Sequence, residues 1–357
     1  MEVFLHSVAT ALPAYAYRQG DILNYMLAAA PDDTRVRRSL SAIYSSSGID
    51  TRHSVLPDFG QPGAGPFFDR NTIPDTATRM ERYVSEAEKL TGSLLKNAEK
   101  QGFEPESISH LIWVSCTGLT APGMETRLLK HFGFSQNIQT TAFNFLGCHG
   151  FFHAMRHARA LVAENEENQV LIVCAELCTL HFQPKWDADH LLANAIFGDG
   201  AAMAVVSAHP RPQSIRIKTQ SQSFFHQASD DMTWNIGAHG FDMRLSQELP
   251  HQVEAAMEKT IEKLLEKAGF QFHELVHFVI HPGGKRILDK AEEALSLPQH
   301  KLAASRMALQ LFGNVSSASI LFALEQFLRS HPGPVSGAGL MLGVGPGLCL
   351  ETALFEV

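Results

Sequence analysis

With 357 residues, 45% of them hydrophobic and 18% charged, the chain has an ordinary globular composition and room for one large domain or two fused ones. A formal net charge of −8 excludes a broad nucleic-acid or anionic-membrane surface, so an anionic ligand would need a local basic patch. No apolar window reaches bilayer-spanning length, and five cysteines without a CxxC pair read as reduced thiols of a cytoplasmic protein.

The opening MEVFLHSVATALPA carries an Ala-x-Ala triplet at Ala9–Ala11, but Glu2 and His6 interrupt the pattern of a leader, so a first β-strand ending at Leu12-Pro13 is expected. YVSEAEKLTGSLLKNAEK has helical spacing and stops near Gly102; LIWV at 111–114 then reads as a buried strand. The run FNFLG leads into Cys148, and GFFHAMRHARALVAEN reads as the following helix. FGDGAAMAVV at 197–206 reads as a turn into a strand; it lacks the lysine and the spacing of a phosphate-binding loop.

The second half repeats this plan. Glu266-Lys267-Ala268-Gly269-Phe270 falls over Glu99-Lys100-Gln101-Gly102-Phe103 at an offset of 167, and the strand FVI then falls over the region of LIWV. At an offset of 166, Phe312-Gly313-Asn314 falls over Leu146-Gly147-Cys148, and VSSASILFALEQFLRS supplies the matching helix before the Gly-rich stretch at 343–355. The pattern predicts an α/β fold of two duplicated βα halves with mostly parallel sheets, divided into 1–210 and 211–357 at the break AHPRPQS.

Acyl transfer on a thioester needs a nucleophile that can also leave, and a thiolate does both. Cys148 stands where a strand turns into a helix, a position expected to lower its pKa, whereas Cys174, Cys178 and Cys349 lie in apolar runs and read as core. His281 ends the second-half strand before Pro282-Gly283-Gly284, at the carboxyl edge where open α/β sheets place ligands. Asn314 occupies the pseudo-symmetric position of Cys148; a plain helix-capping role for it stays open. His149, His153 and His157 are spaced four apart, as in some zinc sites, but no HExxH glutamate accompanies them, and a partly exposed helix face is the better reading.

GCHGFFHAMRHAR around Cys148, AIFGDGAA at 195–202, HPGGKRILD at 281–289, GNVSSAS at 313–319 and GVGPGL at 343–348 resemble, in order and spacing, the type III polyketide synthases, the chalcone synthase-like group. The resemblance implies a thiolase fold with five αβαβα layers and a homodimer that needs no metal or organic cofactor, taking an acyl-CoA starter and malonyl-CoA. It makes Cys148 the acyl-carrying nucleophile, with His281 and Asn314 holding the malonyl thioester carbonyl. By the same likeness Phe197 and Met243 fall at gate positions, Met243 replacing a usual Phe, while Cys116, His181, Trp234 and Ser316 fall around the substrate pocket. Arg52, Gly283 and Arg286 become candidate CoA contacts, and Lys285 reads as a solvated charge. Ala121 sits where a larger residue often reaches across the dimer, and Val344 replaces the usual Phe of the family's GFGPG loop. The expected reaction is iterative malonyl condensation, with a fatty acyl starter closing to an alkylpyrone or alkylresorcinol. A ketoacyl-ACP synthase III-like single condensation, a non-condensing thiolase-fold acyltransferase or scaffold, and a cysteine hydrolase are the alternatives.

Overall fold

The computed structural model describes residues 1–60, 66–68, 73–331 and 336–357. As far as Ser207 the chain runs β1 (Phe4–Ala11), β2 (Tyr15–Arg18), α1 (Gln19–Ala29), α2 (Thr34–Ser46), β3 (Thr51–Ser54), α3 (Thr76–Glu99), β4 (His110–Ser115), α4 (Met124–Leu128), β5 (Gln139–Asn144), α5 (Gly150–Glu164), β6 (Val170–Leu177), α6 (Ala188–Ile196) and β7 (Asp199–Ser207). It continues as β8 (Ile215–Phe224), β9 (Met232–Gly237), β10 (Gly240–Leu245), α7 (Leu249–Ala268), β11 (Leu275–Ile280), α8 (Lys285–Ala294), α9 (Ala303–Phe312), α10 (Ser319–Ser330), β12 (Ala338–Gly345) and β13 (Cys349–Glu356). Asp75 caps α3 by accepting from the Thr78 amide at 2.8 Å, and α7 stops at Gly269.

Nine strands form one sheet in the order β11-β12-β13-β8-β1-β7-β6-β4-β5. Outward from the β8–β1 seam, β8-β13-β12-β11 mirrors β1-β7-β6-β4, so the duplication seen in sequence recurs in the strand order. The expected mostly parallel sheet is corrected: only β4–β5, β4–β6 and β11–β12 are parallel. The reason lies in the connections. The turn from Gly345 to Cys349 is too short for a crossover and forces β12 and β13 antiparallel, and β7 likewise returns antiparallel on β6.

Side-chain alternation builds the layers. Leu111 and Trp113 of β4 and Leu171 and Val173 of β6 face one apolar core with α1 and α3, while Ile112, Val114, Ile172 and Cys174 face a second. That second core holds α5 and α10, and it also receives Val279, Met341 and Ala353 from the other end of the sheet. Phe278, Ile280, Leu340 and Leu342 point oppositely, into a third core with α7 and α8. Helices therefore lie outside and between two curved sheet halves, which gives five layers. Among the described residues no helix is long and apolar enough to cross a membrane.

Candidate active site

The strand-to-helix turn after β5 puts Cys148 at the centre of the molecule. Gly147 adopts φ +71°, and a Cβ there would strike Pro346, so a side chain is excluded both by conformation and by space. Cys148 follows in a single 3₁₀ turn, 2% exposed, and α5 begins at Gly150.

The other two predicted site residues come from the pseudo-symmetric half. His281 follows β11, donates its backbone N–H to Leu342 O at 2.8 Å and is 1% exposed. Asn314 donates from Nδ2 to Gly283 O at 3.1 Å and accepts at Oδ1 from the Ser316 amide at 2.9 Å and from Ser319 Oγ at 3.2 Å. Its carbonyl oxygen thus closes the 3₁₀ turn ahead of α10, so local capping and an inward-facing amide coexist. The Cys148 thiol donates to Ser316 Oγ at 3.7 Å, and hydrogen bonds from Ser316 and Asn314 favour its thiolate.

Burial opposes separate charges here. It pushes the Cys148 thiol up to about 12, with the nearby Glu176 adding to the rise, and pulls the His281 imidazole down to about 4. The pKa depression expected from the helix start is therefore absent for Cys148 taken alone, because desolvation of the sulfur outweighs its hydrogen bonds. A proton passed from sulfur to imidazole would create two compensating charges instead of one isolated charge.

Two cavities lie beside these residues. A tunnel of about 310 Å³ is lined by His281, Asn314, Gly283, Val344 and Phe197, with Lys285 and Arg286 also on its wall. An inner chamber is lined by Cys116, His181, Trp234, Met243, Ser316 and Phe197, joined by Phe182, Phe59, Ile22 and Met26. Phe197 borders both. His181 donates from Nε2 to Thr117 O at 2.7 Å, and its Nδ1 accepts from the Phe241 amide at 3.0 Å. Its ring stacks on Phe241 at 4.1 Å, and burial holds the pKa down at about 3, so it is a neutral wall residue. Trp234 donates to Cys116 O at 2.6 Å, and Met243 pairs with it across the β9–β10 hairpin.

Sequence reasoning passed over Glu176. This fully buried carboxyl accepts from Thr117 Oγ1 at 2.7 Å, from the Cys116 amide at 3.1 Å and from the Ser317 hydroxyl, and burial raises its pKa. Its one signal was a glutamate inside the otherwise apolar run VLIVCAEL.

Arg52 does not present a surface cation. It is 4% exposed, donates to Gln19 Oε1 at 2.9 Å, Asn194 O at 2.8 Å and Phe197 O at 2.7 Å, and is a strut that ties the backbones of Asn194 and Phe197 together. Lys285 is engaged with Asp289 at 2.6 Å, whereas Arg286 is exposed at the tunnel wall. The reading of His149, His153 and His157 as a partly exposed face is corrected at its first member: His149 is 4% exposed, packed against the backbone of β12. His157 sits edge-on to Phe143 instead. Among the described residues no group of three or more His, Cys, Asp or Glu is placed to hold a metal ion. The FGDG turn is structural: Asp199 is buried and accepts from the amides of Val55 and Thr179, each at 2.8 Å. All five cysteines are free and buried.

Comparison with known proteins gives a consistent picture. The model of the chalcone and stilbene synthase N-terminal domain matches residues 2–210, and that of the C-terminal domain matches residues 216–357. A putative chalcone synthase of Bacillus subtilis is 28% identical over 99% of this chain and 98% of its own length. Among solved structures, PKS-I of the brown alga Ectocarpus siliculosus superposes with a TM-score of 0.91 at 26% identity, covering 100% of this chain and 99% of that one. The 1,3,6,8-tetrahydroxynaphthalene synthase of Streptomyces coelicolor A3(2), a bacterial type III polyketide synthase, gives 0.87 at 25% identity and covers 99% of both chains.

Proposed function

Because this chain belongs to the chalcone and stilbene synthase family and is a condensing, acyl-transferring enzyme of the type III polyketide synthase kind, we propose that it extends an acyl-CoA starter with malonyl-CoA on Cys148. The supporting observation is that Ser316 and Asn314 both lie against the Cys148 thiol, while Asn314 and His281 line one cavity. The Cys148 thiol passes its proton to His281 and attacks the starter thioester, and CoA departs. Malonyl-CoA then enters with its thioester oxygen between His281 and Asn314. Loss of carbon dioxide leaves an enolate, whose charge those donors stabilise; removing one such donor typically costs about 3–4 kcal/mol. Carbon–carbon bond formation expels the Cys148 thiolate. No resident metal or organic cofactor is required.

The starter proposed is an aliphatic acyl group, and the product an alkylpyrone or alkylresorcinol. Ile22, Met26, Phe59, Phe182 and Met243 give the inner chamber an apolar lining. Free space there is only about 50 Å³, so a chain must displace side chains, and methionines are those that adapt most readily. A dimer is proposed as well, with β5 at the open edge of the sheet as its seam. Incubating the protein with malonyl-CoA and acyl-CoAs of graded length, with mass spectrometry of the products, tests this reading. Turnover restricted to acyl-ACP, or a single condensation, would favour the ketoacyl-ACP synthase III-like alternative.

A further inference from the structure

A second thiol stands beside the nucleophile. Strands β4 and β5 pair in parallel with Ser115 opposite Asn144, so the residues that follow them leave the same end of the sheet. Cys116 comes directly after β4, and Cys148 comes in the turn after β5. Ser316, from the pseudo-symmetric half, touches both: its Oγ lies 3.0 Å from Cys116 Sγ and accepts from the Cys148 thiol at 3.7 Å. The two sulfurs are therefore no farther apart than those two contacts laid end to end. They are also close enough that a charge on Cys148 raises the pKa of Cys116.

The two thiols differ in where their protons can go. Cys148 yields its proton to His281 in the reading above. The Cys116 thiol donates to Glu176 Oε2 at 3.5 Å, and burial raises the pKa of that carboxyl, which makes it a better proton acceptor. Burial and the same carboxylate hold the Cys116 thiol well above its ordinary value, so it stays a neutral thiol and does not compete with Cys148 for an oxidant. Cys116 and Ser316 line the inner chamber, which opens this corner of the fold to a small solute. Cys178 lines the chamber too, but among the described residues its thiol makes no hydrogen bond to Ser316 or to Glu176.

We propose that hydrogen peroxide converts Cys148 and Cys116 into a disulfide, a reversible modification that halts condensation and spares the nucleophile from irreversible oxidation. The Cys148 thiolate attacks the peroxide and the O–O bond breaks. Cys148 becomes a sulfenic acid, and the departing hydroxide takes the proton held by His281 and leaves as water. The Cys116 sulfur passes its proton to Glu176 and attacks the Cys148 sulfur. The S–O bond breaks, and the hydroxide leaves as water with the proton from Glu176. Two thiols and one peroxide thus give one disulfide and two waters. Turning one or both side chains to another staggered rotamer is the motion that brings the sulfurs to the about 2 Å of a disulfide. The proposal rests on the reading of Cys148 as the acyl-carrying nucleophile.

The test treats reduced wild type, Cys116→Ser and Cys178→Ser with hydrogen peroxide and blocks the remaining thiols with N-ethylmaleimide. Intact mass and peptide maps are read beside extension of an acyl-CoA starter by malonyl-CoA. Expected in wild type and Cys178→Ser is a chain in which two thiols resist labelling and the Cys116 and Cys148 peptides are linked. Extension is lost in both and returns with dithiothreitol. Expected in Cys116→Ser is a loss that dithiothreitol does not reverse, with Cys148 found as the sulfinic or sulfonic acid. Each protein is compared with its own untreated sample, so a changed basal rate at Cys116→Ser does not blur the result. A link from Cys148 to Cys178, or wild-type Cys148 oxidised without any link, would overturn the proposal. The wild-type map decides this by itself if Cys116→Ser fails to fold. Failure of the untreated wild type to load Cys148 with any starter would instead overturn the condensing reading itself.

Discussion

The backbones of Phe197 and Asn314 are clasped together. The Asn314 N–H donates to Ile196 O at 2.8 Å, and the Gly198 N–H donates to Asn314 O at 3.0 Å. The residue between the two cavities and the amide at the foot of the tunnel therefore cannot shift independently, and substitutions at the two positions separate gating from chemistry. Phe197→Leu, which trims the ring between the two cavities to a smaller apolar side chain, should alter the chain-length distribution of products while leaving Cys148 loading near wild type. Asn314→Ala should lower extension about 10²–10³-fold with products unchanged in length. Product analysis beside loading assays checks both, and a Phe197→Leu product profile identical to wild type would count against a gate.

Cys148 reactivity should depend on His281. Burial keeps each neutral when alone, so a thiolate at neutral pH requires the imidazole as proton acceptor. Iodoacetamide should modify Cys148 in the wild type at about pH 7 and do so about 10²-fold more slowly in His281→Gln, with the rate recovering only toward high pH. Equal rates in the two proteins would show that the sulfur ionises without the histidine.

Arg52 should matter to folding rather than to CoA affinity. Its guanidinium joins Gln19 to the carbonyls of Asn194 and Phe197 inside the wall. Arg52→Met leaves those acceptors unpaired and should cost about 2–4 kcal/mol, read by denaturant unfolding. A large rise in KM for CoA thioesters at unchanged stability would restore the phosphate-binding role.

Arg286 should carry the electrostatic contact with the nucleotide end of CoA, since Lys285 is committed to Asp289. Arg286→Ala should raise KM for CoA thioesters several-fold at low salt, and less at high salt. It should leave pantetheine thioesters, which lack the nucleotide phosphates, unaffected. An equal effect on both substrate types would place Arg286 outside the phosphate contact.

Acid should destabilise the fold below about pH 6.5, the ordinary histidine value. Burial lowers His6 and His281 to about 4 and His149 and His181 to about 3, so between those values and 6.5 the unfolded chain binds more protons than the folded one. Stability then falls as pH falls through that window and levels off below it. Asp199, raised to about 6, and Glu351, raised to about 7, work in the opposite sense, since each binds its proton more tightly when folded. Glu176, also raised by burial, makes a third such carboxyl, but with four histidines against three carboxyls the melting temperature should still drop from pH 6.5 toward 4. A flat or rising profile would contradict these burial effects.

What the linear chain determined by itself was local and periodic. Helix spacing before Gly102 and Gly269, short apolar strands after them, and the offset that lays Asn314 over Cys148 are all contained in stretches of a few tens of residues. Sequence order alone therefore specified the duplicated α/β plan and singled out Cys148, His281 and Asn314. Tertiary structure decided everything that depends on desolvation and on approach between distant segments. Arg52, Glu176 and His149 have the same side chains on a surface as in a core, and only packing shows them at 4%, 0% and 4% exposure, where an isolated charge is disfavoured. Strand direction was decided there too, because the tight turn between β12 and β13 overrides the parallel pairing that alternating strands and helices suggested.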